Sequence, residues 1–304
     1  MFAIKSLPKI MIIKGLSRVG VFFLYLISLL PFWLLYIISD LLYVLTYYIV
    51  GYRKQVVRDN LANSFPEKTP EERLMIEKKY YHYLGDLLVE TIKMLTISEK
   101  EVRRRMVADP QTDIVMNGFF NEGKSIIGAV GHYCNWELAA LRFSMITPNE
   151  RVIVYKPLAN EVTDDLFKKV RSRFGATLVA MKDILRKLVQ LRGKLSFTVL
   201  VSDQTPVQES VQYFVSFLNQ PTAVFLGIEK LAILTKSAVV FCEVKCIKRG
   251  YYSYNFVPLV TEPENTRKHE ITDMHVAYLE KMIRNKPEYW LWSHKRWKFK
   301  PRAV

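Results

Sequence analysis

The 304-residue chain carries 44 Lys+Arg against 29 Asp+Glu, a formal charge of +15, with half its residues hydrophobic and 24% charged. That composition excludes a disordered polymer and a bundle of membrane spans, and the length suits one or two domains with a sizeable core. Three cysteines (Cys134, Cys242, Cys246) with no Cys-x-x-Cys spacing exclude a disulfide framework and a zinc site of that type, and fit a reducing compartment.

The charge is uneven along the chain. Residues 1–60 hold seven basic residues (Lys5, Lys9, Lys14, Arg18, Arg53, Lys54, Arg58) against Asp40 and Asp59, and residues 281–304 hold eight against Glu288. The long middle is close to neutral. Between the N-terminal clusters, Val19–Ser39 is a run of 21 uncharged residues that includes Phe22, Phe23, Phe32 and Trp33. About 20 apolar residues can cross a hydrocarbon core. The run is long for a signal peptide and no small-residue cleavage site follows it. Its two flanks are equally basic, so they give no orientation, and they also suit a re-entrant pair of short helices bent near Pro31 or Asp40. Residues 1–51 therefore read as a membrane-embedded helical anchor, with a buried helix pair of a soluble protein as the alternative.

Residues 52–110 read as a helical preamble. Thr69-Pro70-Glu71-Glu72 has the form of a helix start, and the apolar stripe Leu74, Leu84, Leu87, Leu88, Ile92 and Leu95 carries that helix to about Leu95. A short helix follows at Ser98–Met106. From Ser125 apolar runs alternate with helical patterns. Strands are expected at Ile126–Val130, Val152–Tyr155, Ser196–Val201, Ala238–Lys245 and Tyr254–Val260. Helices are expected at Glu137–Met145, Thr163–Phe174, Ile184–Leu191, Val224–Leu234 and His269–Ile283. Such alternation predicts an α/β domain over 111–304, with a mixed, largely parallel sheet flanked by helices.

The segment Gly131-His132-Tyr133-Cys134-Asn135-Trp136-Glu137 follows an apolar strand and precedes a helix, the place where open α/β sheets put their sites. Asn135 is a good N-cap, and Glu137 then falls in the first helical turn. A carboxylate curled back onto the His132 ring would fix its tautomer and free the other nitrogen to take a proton from a hydroxyl. Spacing alone leaves open a capping carboxylate beside a packed histidine. No His-Glu-x-x-His is present, and His82, His269, His275 and His294 form no ligand cluster with His132, so neither a metal nor a cofactor is expected. A covalent route has little support, because there is no Gly-x-Ser-x-Gly elbow.

Gly131-His132-x-x-Asn135-Trp136-Glu137 resembles the His-x4-acid motif of lysophospholipid-type acyltransferases, in the form found in the bacterial lipid A biosynthesis acyltransferases. Further stretches are similar to that family in the same order: Arg53-Lys54-Gln55-Val56-Val57-Arg58-x-Asn60-Leu61 with Phe65-Pro66-Glu67, Tyr155-Lys156-Pro157, Ser202-Asp203-Gln204, and the closing Pro287-Glu288-Tyr289-Trp290-Leu291-Trp292-x-His294-Lys295-Arg296-Trp297-Lys298. The resemblance implies a glycerolipid acyltransferase-like fold and an inner-membrane enzyme facing the cytoplasm. It implies transfer of a fatty acyl chain from a thioester, on acyl carrier protein or coenzyme A, to a hydroxyl of a lipid A precursor. By the same resemblance His132 is the general base and Glu137 its orienting partner. Arg171, with Arg173 second to it, Asp203, Lys156 and Asn135 are the substrate-binding candidates. Two departures bear on the acceptor. Lys156 replaces an Arg, turning a bidentate contact into a point charge, and the Phe-Phe-Gly expected near Phe217-Leu218-Asn219 has lost its glycine.

The closing mixture of Trp290, Trp292 and Trp297 with Lys295, Arg296, Lys298 and Lys300 fits a membrane interface, single-stranded nucleic acid, or a packed strand with solvated charges. With the apolar segment beside it, the basic excess reads as affinity for an anionic bilayer rather than for nucleic acid. Two other functions fit the same residues: the same chemistry on a lysophospholipid, aminolipid or glycolipid, and a non-enzymatic membrane-tethered binder of anionic ligands.

Overall fold

The apolar N-terminal stretch folds as two helices, α1 (Leu7–Leu29) and α2 (Phe32–Val44), the second prolonged by a π-helical turn, Leu45–Ile49. The computed structural model describes residues 7–147 and 149–301, with side chains from Ser17 onward apart from Ser210. Lys5, Arg302 and the side chains of Lys9 and Lys14, all part of the basic ends, lie outside the described residues. The break falls at Pro31, which is extended (φ −65°, ψ 154°) and lacks the N–H that a continuous helix needs. Phe32–Ile49 is long and apolar enough to cross a membrane. Both helices, however, lie on the protein body, chiefly against α4. Their outward faces stay apolar: Val19, Phe22, Phe23, Leu26 and Leu29 on α1, and Trp33, Ile37 and Leu41 on α2, continuing through Val44 and Tyr48. These positions recur every three or four residues, so each helix presents one exposed apolar stripe.

The preamble supplies α3 (Lys54–Ser64), α4 (Pro70–Lys93), α5 (Glu99–Arg105) and, beyond expectation, a short strand β1 (Met106–Ala108). The start of α4 is a capping box: Thr69 Oγ1 accepts from the Glu72 N–H while Glu72 Oε2 accepts from the Thr69 N–H, with Pro70 at the first turn. A helix α6 (Pro110–Asn121), capped by Asp109, lies beyond the elements expected from the sequence. The α/β part then runs β2 (Ile126–Val130), α7 (Trp136–Phe143), β3 (Glu150–Tyr155), α8 (Glu161–Arg171), β4 (Thr177–Ala180), α9 (Ile184–Gln190), β5 (Ser196–Val201), β6 (Tyr213–Phe217), β7 (Gln220–Val224), α10 (Gly227–Thr235), β8 (Ala238–Lys248), β9 (Tyr251–Val260) and α11 (Glu270–Asn285).

Seven strands form one sheet in the order β1-β9-β8-β2-β5-β3-β4, parallel at every pairing except β8 with β9. The fold is therefore α/β with a largely parallel sheet, as expected. Strand β2 is buried at all five positions, as the centre of a parallel sheet requires. On one face Phe143 of α7 packs against Phe197, Tyr254 and Phe256, with ring centroids 5.3–6.0 Å away. On the other face Tyr278 of α11 packs against Phe241 of β8, its ring tilted by 36° at a centroid distance of 4.7 Å.

The expected helix beginning at Val224 starts three residues later, because Gln220–Val224 is spent in a hairpin with β6. Its two-residue turn, Leu218-Asn219, has positive φ at both positions (51° and 62°), the conformation of a primed hairpin turn. This is where the family-like glycine is missing. Asn tolerates the left-handed region better than most residues, and Asn219 is further held by its amide donating to the Ser64 carbonyl.

Candidate active site

Strands β2 and β5 are parallel neighbours in a register that sets Val130 beside Val201. Two residues further along each strand, just past its carboxyl end, come His132 and Asp203. Asp203 Oδ1 lies 2.5 Å from His132 Nδ1, and Oδ2 accepts the His132 N–H at 2.8 Å and the Trp290 indole N–H at 2.8 Å. On the far side of the ring the Gln204 amide donates to His132 Nε2 at 3.0 Å. Since Nε2 accepts there, Nδ1 carries the proton and donates it to Asp203. Burial by itself would raise the Asp203 carboxyl; the His132 ring and the three hydrogen bonds outweigh it and hold the group at about 2.

The carboxylate on the imidazole is thus Asp203, not Glu137. Glu137 sits in the first turn of α7, and both its oxygens are taken by Arg171 at the last residue of α8: Nε to Oε2 at 2.9 Å and Nη2 to Oε1 at 2.5 Å. The fork of a guanidinium matches a carboxylate in this two-bond form, and the pair with Glu137 raises the Arg171 pKa against the opposing effect of burial. Sequence spacing brought Glu137 near His132 along the chain. Strand register brings Asp203 closer in space.

Of the other substrate-contact candidates, Lys156 is exposed at the end of β3 and Arg171 lines the same cavity as His132. Asn135 and Arg173 are placed elsewhere. Asn135 is fully buried; its Oδ1 caps α7 by accepting the Leu138 N–H, and its Nδ2 donates to Glu90. Arg173 donates to the carbonyls of Met94 and Ile97 and so ties down the end of α4. Neither touches the cavity, because a cap and a carbonyl clamp have already used their polar atoms. Gln204 and Trp290 complete the site and were not singled out as site residues, although both stand in the motifs quoted above.

The cavity has a volume of about 640 Å³. His132, Glu137, Arg171, Lys156 and Gln204, with Tyr155, Ser202 and Thr205, supply its polar groups. The rest of the wall is chiefly apolar, including Val130, Ile153, Val199, Phe143, Phe225 and Ile228. It suits an amphiphile whose reactive end meets His132 and whose tail runs between the sheet and α7. Among the described residues no group of three His, Cys, Asp or Glu side chains is arranged to hold a metal ion. Cys134 beside the histidine is fully buried, and burial pushes its thiol well up, away from the thiolate a nucleophile needs.

The turn carrying His132 is over-determined. Gly131 is packed so closely that a Cβ would come within 2.7 Å of Leu279 Cδ1, and Cys134 holds φ at +50°. The closing segment stitches onto this turn, with the Cys134 N–H donating to the Tyr289 carbonyl and the Leu291 N–H to the His132 carbonyl. Trp290 and Trp292 are therefore interior residues, 2% and 0% exposed, which decides for a packed segment over an interfacial or nucleic-acid-stacking one. Arg296 is buried with them, whereas Lys295, Lys298 and Lys300 stay exposed. The early motif block braces the same segment: Asn60 Nδ2 donates to the carbonyls of Trp292 and His294, and Arg53 to that of Ser293.

A family model described as bacterial lipid A biosynthesis acyltransferase matches residues 7–299. Among curated proteins, the chain is similar to the lipid A biosynthesis lauroyltransferase of Escherichia coli (strain K12), 24% identical over 291 residues that cover 95% of this chain and 93% of the relative. It is similar to the lipid A biosynthesis palmitoleoyltransferase of the same organism, 23% identical over 251 residues (82% and 80%). A lipid A biosynthesis acyltransferase of Haemophilus influenzae is 24% identical over 224 residues (73% and 68%).

Proposed function

The chain belongs to the bacterial lipid A biosynthesis acyltransferase family and is an acyltransferase; from that premise we propose that it moves a fatty acyl chain from a thioester to a hydroxyl of a lipid A precursor by direct displacement, with His132 as general base. One observation carries the reading: an imidazole fixed at Nδ1 by Asp203, with its other nitrogen unprotonated and accepting from the Gln204 amide at the polar end of a largely apolar cavity.

In this mechanism the acceptor hydroxyl displaces the Gln204 amide from His132 Nε2 and gives up its proton there as its oxygen attacks the thioester carbonyl. Asp203 stabilises the imidazolium that forms. The tetrahedral intermediate collapses with loss of the thiolate, which takes the proton back from Nε2, so no acyl-enzyme forms. Glu137 holds Arg171 rather than the base, and Arg171 and Lys156 bring positive charge to the phosphates of the acceptor or donor. Acyl carrier protein is the donor we favour over coenzyme A, since an acidic carrier suits the basic surface of the chain.

The same reading places the enzyme on the inner membrane with its α/β domain toward the cytoplasm. The exposed stripes of α1 and α2 would enter one leaflet while their other faces stay on the body. Asp40, in the middle of the only candidate span among the described residues, is ion-paired with Arg249, which supports a helix pair lying in the interface over a helix crossing it.

The test is mass spectrometry of lipid A from cells lacking the gene. A species lighter by one acyl chain is expected, restored by the wild-type chain and not by His132→Ala expressed to the same level in the membrane. Intact lipid A with a changed lysophospholipid or glycolipid would move the acceptor to that class, and restoration by His132→Ala would refute the base.

A further inference from the structure

The helix pair and the catalytic turn are joined by a carboxylate that the mechanism above does not use. Glu90, on α4, is 4% exposed. It accepts three hydrogen bonds from three different elements: Tyr36 Oη of α2 at 2.9 Å, Tyr252 Oη of β9 at 2.9 Å, and Asn135 Nδ2 at 2.6 Å. The third partner lies inside the turn between His132 and Glu137. Asn135 Oδ1 is committed to the Leu138 N–H, so one side-chain amide caps α7 with its oxygen and is gripped by Glu90 with its nitrogen. A buried acceptor shared by two buried donors and one part-buried donor cannot be removed without orphaning them. Buried charge is also expensive. The Glu90 carboxyl is pushed up to about 7, burial outweighing the bonds from Tyr252, Asn135 and Tyr36. A leucine or methionine would spare the buried charge but leave those three donors without their acceptor, so what the carboxylate supplies is the geometry of its partners.

We propose that Glu90 is a positioning residue for acyl transfer, fixing the Asn135 amide and through it the turn that aims His132 and Glu137 into the cavity. The inference rests on the reading of His132 as the base. Glu90 has no line to the reacting atoms except through Asn135, because none of its contacts lines the cavity. Three of the motif turn's supports are backbone bonds or close packing from β5, α11 and the closing segment. Glu90 is the support that comes from α4 and, through Tyr36, from the apolar helix pair.

A charge-swap cycle tests this in the full-length chain, with dodecanoyl–acyl carrier protein and a lipid A precursor lacking one acyl chain as probes. Asn135→Asp keeps a good N-cap but sets a second carboxylate against Glu90, and is expected to lower kcat by about 10- to 100-fold, the cost of a displacement near 1 Å at the reacting centre, with KM for the donor within threefold. Glu90→Gln keeps one oxygen for Asn135 and is expected to lose no more than about threefold. In the double variant the glutamine amide donates to the new carboxylate, and kcat should recover to within about threefold of wild type. Melting midpoints of all four proteins separate folding from turnover. Undiminished kcat in Asn135→Asp, or a double variant whose melting midpoint recovers while kcat does not, overturns the proposal. Substantial activity in His132→Ala, run alongside, would instead remove the mechanistic premise and leave the Glu90 network to be judged by the cycle alone.

Discussion

The turn carrying His132 and the N-terminal helix pair are held to the same body in opposite ways. Each polar atom of His132 has a designated partner, the backbone is cross-linked to the closing segment, and a single added methyl at Gly131 would collide with Leu279. The helices α1 and α2 are fixed on one side only, α1 by Lys93 donating to the Ser28 carbonyl and α2 by Ser39 on Asp86, Asp40 on Arg249 and Tyr36 on Glu90, and leave an apolar stripe facing outward. A site that must present a proton acceptor within tenths of an ångström needs the first arrangement. A surface that must enter a fluid layer needs only the right chemistry on its outer face.

The contrast is broken most sharply at the imidazole. Asp203→Asn removes the charge that stabilises the imidazolium and the tautomer it dictates, and kcat should fall by about 10²–10⁴. Glu137→Gln leaves the ring alone and weakens only the grip on Arg171, so its loss should be roughly tenfold to a hundredfold, expressed partly in KM. A larger loss from Glu137→Gln than from Asp203→Asn, in the same transfer assay, would return Glu137 to the role of orienting partner.

On the other region the expectation inverts. Ile37→Ser with Leu41→Ser removes two exposed apolar side chains from α2, worth about 2 kcal/mol of partial insertion, or more than tenfold in partition. Sedimentation with phosphatidylglycerol vesicles should show that loss, while turnover on detergent-dispersed substrate stays within twofold. Equal losses in both measurements would mean that the stripe is not a docking face.

The smallest effect is on acid stability. Asp203 is depressed to about 2 in the folded chain, below the value near 4 of an unfolded aspartate. Its contribution is therefore fully present above about pH 4 and is lost as pH falls through about 2. Denaturant titrations of wild type and Asp203→Asn should differ by a constant amount above pH 4 and converge toward pH 2.

What the sequence determined by itself is local. The parallel core strands Ile126–Val130 and Ser196–Val201 were legible to the residue because fully buried strands read as short unbroken apolar runs. The start of α4 was legible from its capping residues and the motif turn from its place between strand and helix. Elements with weak local signals were not: β1 and β4 are three and four residues long, and the β6–β7 hairpin turns on Leu218-Asn219 without a glycine. The carboxylate on the imidazole was also out of reach, because His132 and Asp203 are 71 residues apart. Their meeting depends on β2 and β5 being neighbours with Val130 beside Val201, and strand order is a property of the assembled sheet. The closing tryptophans show the same limit, since composition offered interface or interior, and only packing against Asp203 and the motif turn decided for the interior. Chemistry that depends on which strand lies beside which was decided by the tertiary fold.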